Sequence, residues 1–353
     1  LGYENTPDGR RQSGANGRDE IEPAIPFSKQ NVIAVFSELA LPVFDGFQTQ
    51  AAIRYEDYGD QGGSTIDPKV SARFEVTDFL ALRASYGTSF QAPSIRQVAG
   101  SVGNASVTDP LIGGNTSFNV TVFTDGSANL VPQSASNLNL GFVLRTGFGL
   151  DMTADYFIYD YSNLILPDGD PQFIVNQVNA GALPANRVIR DGFGQLRQVF
   201  SEFQNRGDAR AEGIDVNLRY NPRWFDTVDI LFDASTTIIT KFTSTDFAGL
   251  DGRGNLRGSR NFANAFGSVP DFKLNAGVTL GYRDHSLNVS GRYIGSYTDD
   301  QSRLPIDSQL TIDARLTFSL AGLTGSEEST ISLGAINLFD VDPPALAARP
   351  GYD

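Results

Sequence analysis

Cysteine is absent from the 353 residues, and histidine occurs once, at His285. The first absence excludes a disulfide framework, a cysteine-ligated zinc site and a thiol nucleophile. The second removes a histidine-based catalytic triad and a histidine-rich metal site. Methionine and tryptophan each occur once and lysine four times. No apolar run approaches the roughly 18 residues that a membrane helix needs. The opening LGYENTPDGRRQSGANGRDE has no apolar stretch of the signal-peptide kind, and a chain that opens in mid-loop reads as a fragment or processed piece. Positive charge is short as well. With 27 Lys and Arg against 41 Asp and Glu, the net charge of −14 argues against nucleic acid, whose phosphates call for a basic stripe.

What the chain does have is 36 Gly, 17 Pro, 25 Phe and 12 Tyr, with abundant Asn, Ser and Thr. That composition suits many strands and turns. Period-two alternation runs through the sequence. In 47–56, Phe47, Thr49, Ala51, Ile53 and Tyr55 oppose Gln48, Gln50, Arg54 and Glu56. Val70, Ala72 and Phe74 oppose Lys69, Ser71, Arg73 and Glu75; Leu82, Ala84 and Tyr86 oppose Arg83, Ser85 and Gly87. Leu150, Met152, Ala154, Tyr156 and Ile158 oppose Asp151, Thr153 and Asp155. Ile214, Val216, Leu218 and Tyr220 oppose Asp215, Asn217 and Arg219, and Leu310, Ile312, Ala314, Leu316 and Phe318 oppose Thr311, Asp313, Arg315 and Thr317.

The pattern predicts twelve strands, near 30–42, 46–58, 66–76, 79–90, 136–146, 149–162, 199–220, 226–243, 269–282, 285–298, 308–320 and 329–339. A soluble β-sandwich, including a carbohydrate-active one, alternates in the same way. Three features favour an antiparallel transmembrane β-barrel. The strands reach the ~9–11 residues needed to cross a bilayer at a tilt. Tyr55, Tyr86, Tyr156, Tyr220, Tyr282 and Phe318 sit at the ends of the apolar faces, as an interfacial girdle would. Short connections alternate with long ones, the long ones being 91–135, 163–198 and 244–268. Such parity places short turns at the periplasmic side and loops outside the cell.

Six segments in order resemble the TonB-dependent outer-membrane receptors of Gram-negative bacteria. They are ELALPVF (38–44), AAIRYEDYGDQGGSTIDPKVSARF (51–74), LRASYGTSFQAPSIRQV (82–98), LVPQSASNLNLGF (130–142), ARAEGIDVNLRY (209–220) and ISLGAINLFDVDPP (331–344). Gln133 stands where that family commonly has an acidic residue. The resemblance implies a 22-strand barrel filled by an N-terminal plug and preceded by a TonB-contacting box. Residues 1–353 would then be an incomplete barrel of about 12 strands, without plug, TonB box, first strands or last strand. It also implies surface capture of a scarce ligand and import driven by TonB. The partners would be outer-membrane lipid, TonB through the absent N-terminal region, and a siderophore, cobalamin or oligosaccharide. A passive porin-like channel shares every alternation argument and is the other reading.

Under that resemblance Arg54, Glu56, Arg73, Glu75, Arg83, Asp151, Asp155, Asp215, Arg219 and Arg315 face the lumen. They serve there as the charges of a polar lumen or, on a second reading, in ligand passage. The long loops offer Phe118, Phe123, Phe173 and Phe193 for stacking on a ligand. LPDGDPQ (166–172) carries Asp168 and Asp170 but lacks the other ligands of a 12-residue calcium loop, so a Pro/Gly turn is expected. No catalytic residue, cofactor or metal site is assigned.

Overall fold

The computed structural model describes residues 2–6, 9–13 and 19–23 as backbone, and 31–345 apart from 60, 61, 113–116, 128, 248, 250, 261–265, 301 and 322–328. A small antiparallel sheet is made by β1 (Gly2–Thr6), β2 (Gly9–Ser13) and β3 (Asp19–Pro23). The wall then opens with β4 (Ile33–Phe44), β5 (Phe47–Asp57), β6 (Ser64–Thr77) and β7 (Leu80–Gln91). Outside it come α1 (Ile95–Ala99), β8 (Ser101–Thr108) and β9 (Ser117–Asp125). The chain returns as β10 (Gln133–Arg145) and β11 (Leu150–Ser162), then leaves through β12 (Ile165–Pro167), α2 (Pro171–Asn179), β13 (Val188–Arg190) and β14 (Leu196–Asn205). The wall resumes with β15 (Ala209–Tyr220), β16 (Val228–Ser244), β17 (Phe272–Tyr282) and β18 (His285–Ile294). After a small hairpin of β19 (Tyr297–Thr298) and β20 (Pro305–Ile306), it closes with β21 (Gln309–Ser319) and β22 (Thr330–Ala335).

The twelve wall strands form one antiparallel sheet in chain order, β4-β5-β6-β7-β10-β11-β15-β16-β17-β18-β21-β22. Among the described residues β4 and β22 each have one neighbour, so the sheet is an incomplete barrel. The predicted strands match it except at 199–220. There the chain breaks at Gly207, whose φ of 63° no β-strand accommodates, and the part before the break pairs outside the wall. Most of the predicted turn at 321–328 lies outside the described residues.

Alternation restricts the register, because a one-residue slip would turn every apolar side chain to the other face. One row across the sheet reads Leu41, Thr49, Ala72, Ala84, Leu140, Tyr156, Ile214, Ile238. On β11 the apolar face runs from Leu150 to Ile158, about 26 Å along the strand. A tilt of about 40° makes that about 20 Å of height, close to the ~25 Å apolar band of outer-membrane barrels. Below it lie aromatic clusters by the short turns. Phe44 stacks on Phe47 at 4.9 Å, and Tyr220, Trp224 and Phe232 meet at 6.0–6.2 Å. Above it the same face turns polar in the row Thr88, Ser136, Asp160, Arg210, Thr243. Arg210 there bridges Asp160 at 3.0 Å and Glu212 at 2.6 Å, and Tyr156 donates to Glu212 at 2.8 Å.

Candidate ligand-binding surface and channel wall

The two longest outer connections are not independent loops. Residues 95–112, 117–125 and 165–205 fold into one unit, in which β9 runs parallel to β14 and antiparallel to β8, while β12 and β13 flank β14. Its core is Val107, Val120, Ile174, Val175, Val188, Leu196 and Val199, all at most 8 % exposed. Each such side chain removed from water contributes about 1.5–3 kcal/mol. These segments bury enough apolar surface to hold a shape of their own.

Two helix caps start the helical pieces of this unit. Ser94 and Gln97 form a reciprocal capping box at α1. Asp170 accepts the Phe173 N–H at 2.9 Å as the N-cap of α2, with Pro171 in the first turn. The LPDGDPQ stretch is thus a helix start. Its other carboxylate, Asp168, takes Arg187 at 2.6 Å and the Glu202 N–H at 3.0 Å.

Polar anchors join the elements. Gln172 clamps the end of β8, accepting from the Thr108 N–H at 2.7 Å and donating to the Thr108 carbonyl at 2.8 Å. Asp109 is 1 % exposed and accepts from Arg190, from Asn179 at 3.2 Å and from the Leu111 N–H at 3.1 Å. Arg190 beside it holds the Asp109 carboxyl below its ordinary range, against the opposing pull of burial. This ion pair fixes the β8–β9 tip against the β13–β14 tip.

At that second tip Asp191 accepts the Phe193 N–H at 2.9 Å, the Gln195 N–H at 3.0 Å and the Arg197 guanidinium. Burial pushes its carboxyl up, yet these donors outweigh it and hold the carboxyl low. The turn presents Phe193, 92 % exposed, to solvent. Phe173 is also exposed, at the first turn of α2. Phe118 and Phe123 are placed differently. Phe118 is half-buried and packs on the core, and Phe123 is buried with its ring stacked on Phe200 at 5.2 Å.

The ten charged residues named from the sequence share the polar face of the wall. Arg83 reaches across β10 to Asp155 in a two-pronged ion pair, with Nε to Oδ1 at 2.7 Å. Gly141, opposite both, makes this possible: a Cβ there would stand 2.1 Å from Asp155 Oδ1. Arg54 pairs with Glu56, and Arg73 with Glu75, each at 2.5 Å along its own strand. Asp215 accepts from the Thr237 hydroxyl at 2.6 Å. Asp151 and Arg219 face each other in register, yet with Arg315 they make no ion pair among the described residues.

The family model described as TonB dependent receptor-like, beta-barrel, matches residues 1–338. The chain belongs to this family. The receptor is 23 % identical, over 93 % of its length, to the heme/hemopexin utilization protein C of Haemophilus influenzae strain 86-028NP, and covers 43 % of that protein. It also resembles the ferric enterobactin receptor of Pseudomonas aeruginosa, with TM-score 0.62 and 17 % identity over 88 % of this chain and 40 % of that one. The outer membrane transporter YddB of Escherichia coli gives TM-score 0.59 and 12 % identity, over 94 % of this chain and 46 % of that one. The receptor chain thus spans less than half the length of these relatives, and it lies in the outer membrane as a β-barrel.

Sequence reasoning missed a feature of the receptor wall. Phe157, Tyr159 and Tyr161 occupy three successive polar-face positions of β11, with ring centroids 5.5 and 6.3 Å apart. Their signal was available, because aromatics at both parities in YFIYDY break the alternation. The folded surface unit also left a trace, in the apolar alternation of FNVTVF and in the Asp-Pro start of PQFIVNQV.

Proposed function

We propose that this chain forms part of the barrel wall and the capture surface of an active outer-membrane transporter. In this reading residues 1–353 are a partial barrel domain, and the plug and TonB-contacting segment belong to the rest of the receptor. A scarce ligand binds at the surface and passes inward with energy transmitted by TonB, so import asks no bond chemistry of this chain. The observation that carries the reading is the family match over a wall crowned by a folded unit with exposed rings. A passive channel has less use for a stapled outer unit. Among siderophore, cobalamin and oligosaccharide, the relatives' names favour an iron-bearing ligand, a siderophore or heme. Phe173 and Phe193 are the surface rings that meet it first.

Uptake assays on the intact receptor in cells with and without TonB test this. Accumulation of ferric enterobactin or heme that stops without TonB is expected. Equal uptake in both strains would mean a passive channel. Phe193→Ala should weaken surface capture several-fold and leave heat stability unchanged, since the ring packs on nothing in the unit.

A further inference from the structure

We infer that the lipid-facing side of the wall carries, at its loop end, a site for the headgroup of a phosphorylated glycolipid, in a cleft beside Lys241 and Arg253. The inference rests on the place of the wall in the outer membrane and not on the transport reading.

A β-bulge brings the decisive cation to this side. On β16, Ile238 lies opposite Ile214 and shares the apolar face, so strict alternation would turn Lys241 to the polar face. The register shifts between Glu212 and Gly213, which leaves Thr240 without a partner on β15 and sets Lys241 opposite Glu212. Such an extra residue re-aims the side chains beyond it. The Thr240 carbonyl accepts instead from Arg257, at 3.4 Å. Lys241 Nζ stands 3.6 Å from Glu212 Oε1, and Glu212 shares the lipid face with Tyr156, whose hydroxyl donates to it at 2.8 Å. The row Ile158, Glu212, Lys241 lies two residues above the row Tyr156, Ile214, Ile238, and the row Asp160, Arg210, Thr243 two residues higher again. With about 3.3 Å of rise per residue and a tilt of about 40°, these rows stand about 5 and 10 Å above the Tyr156 row. The headgroup layer on each side of the ~30 Å hydrocarbon core is about 5–8 Å thick. Lys241 and Arg210 therefore sit at headgroup depth.

A cleft of about 970 Å³ opens there, lined by Asp160, Ser162, Arg210, Lys241 and Thr243 of the wall and by Arg253 of the connection after β16. Its cations keep capacity for an anion. Among the described residues Lys241 has one ion pair, the 3.6 Å contact with Glu212, which Arg210 holds more closely at 2.6 Å. Arg253 is exposed, and its guanidinium makes no ion pair among the described residues. Two further acids of the cleft are engaged, Asp246 by Arg206 at 2.8 Å and Asp208 by the Asn163 N–H at 3.2 Å. Cations at this depth select phosphate. The rest of the lining suits a sugar. The Ser162 and Thr243 hydroxyls have no partner among the described residues, and the Asp160 carboxylate can accept from further hydroxyls. The volume lies at the upper end of the ~300–1,000 Å³ of ligand pockets, more than one phosphate group fills. Continuity with the membrane face decides the occupant. Ile158, Ile214 and Ile238 run from the cleft into the apolar band, where acyl chains lie, and a free phosphate or soluble sugar gains nothing from that surface.

The test is equilibrium binding to the purified, delipidated intact receptor in detergent, with four probes: bisphosphorylated lipid A, the same lipid A dephosphorylated, dioleoylphosphatidylethanolamine and inorganic phosphate. The bisphosphorylated form should bind tenfold or more tighter than either other lipid, and inorganic phosphate at equal concentration should not displace it. The pair Lys241→Gln, Arg253→Gln should weaken that binding tenfold or more and flatten its dependence on salt. Arg223→Gln, at the short-turn end of the wall, should leave it unchanged. Should the pair not fold, Arg253→Gln alone, in an outer connection, should weaken binding several-fold. Equal affinity for the dephosphorylated lipid, unchanged affinity in the folded variants, or an equal loss in Arg223→Gln overturns the site. Preference for phosphatidylethanolamine overturns the glycolipid assignment, and displacement by inorganic phosphate overturns the assignment to a lipid.

Discussion

Gly141 shows how much one missing side chain can decide. It stands between Arg83 and Asp155 on the strand that separates them, and its bare backbone lets the guanidinium cross. Gly141→Ala puts a methyl 2.1 Å from the Asp155 carboxylate, so the ion pair must move or open. The expected cost is about 1–3 kcal/mol, as for other overpacked sites, read as a lower unfolding midpoint of the intact receptor in detergent. Asp109 is the corresponding residue of the surface unit. Asp109→Ala leaves Arg190 without its carboxylate beside a buried core, and limited proteolysis should then cut within the surface unit, before β10 or between β11 and β15, sooner than in the wild type. Acid should act through the same group. Its carboxyl is held low by Arg190, so its contribution is full above the ordinary aspartate pKa of about 4 and is lost as pH falls through its lowered value. Surface cleavage that rises below about pH 4 and is flat above it is the expected profile.

Among the elements, strands of the wall were legible and their partners outside it were not. Alternation over ten or more residues marks a strand and its two faces without tertiary help, which is why eleven of the predicted wall strands stand where the period put them. The stretch 199–220 misled because the reading ran one strand through the polar QNRGD (204–208), where the turn at Gly207 separates β14 from β15. In β9 and β14, Val120 and Val199 look like any strand residue; that they share a core with Ile174 of α2 depends on packing between segments far apart in the chain. For the same reason Phe123 looked available. An aromatic in a long connection is exposed or buried according to what folds over it, and here Phe200 does.

On the scale of the whole molecule, the apolar face carries aromatic clusters beside the short turns and a polar, ion-paired row near the loops. These bracket the membrane. Trp224, part of the cluster with Tyr220 and Phe232, should therefore sit at the lipid headgroup level. In an intact receptor whose tryptophans outside this chain are replaced by Phe, leaving Trp224, the one tryptophan of the 353 residues, its fluorescence should be quenched by brominated lipids labelled near the headgroup more than by those labelled at the chain ends. Quenching strongest at the chain ends would place the short-turn boundary wrongly.

The sequence by itself determined the fold class, the twelve-strand wall, its polar and apolar faces and the family. All of these are local or periodic, written into each strand by the two-residue repeat and the turn residues between. Only the tertiary structure decided which loops join into one unit, which of four phenylalanines stay exposed, and which polar-face charges of the wall find partners. Those properties depend on register between strands far apart in the chain, and no single strand contains its own register.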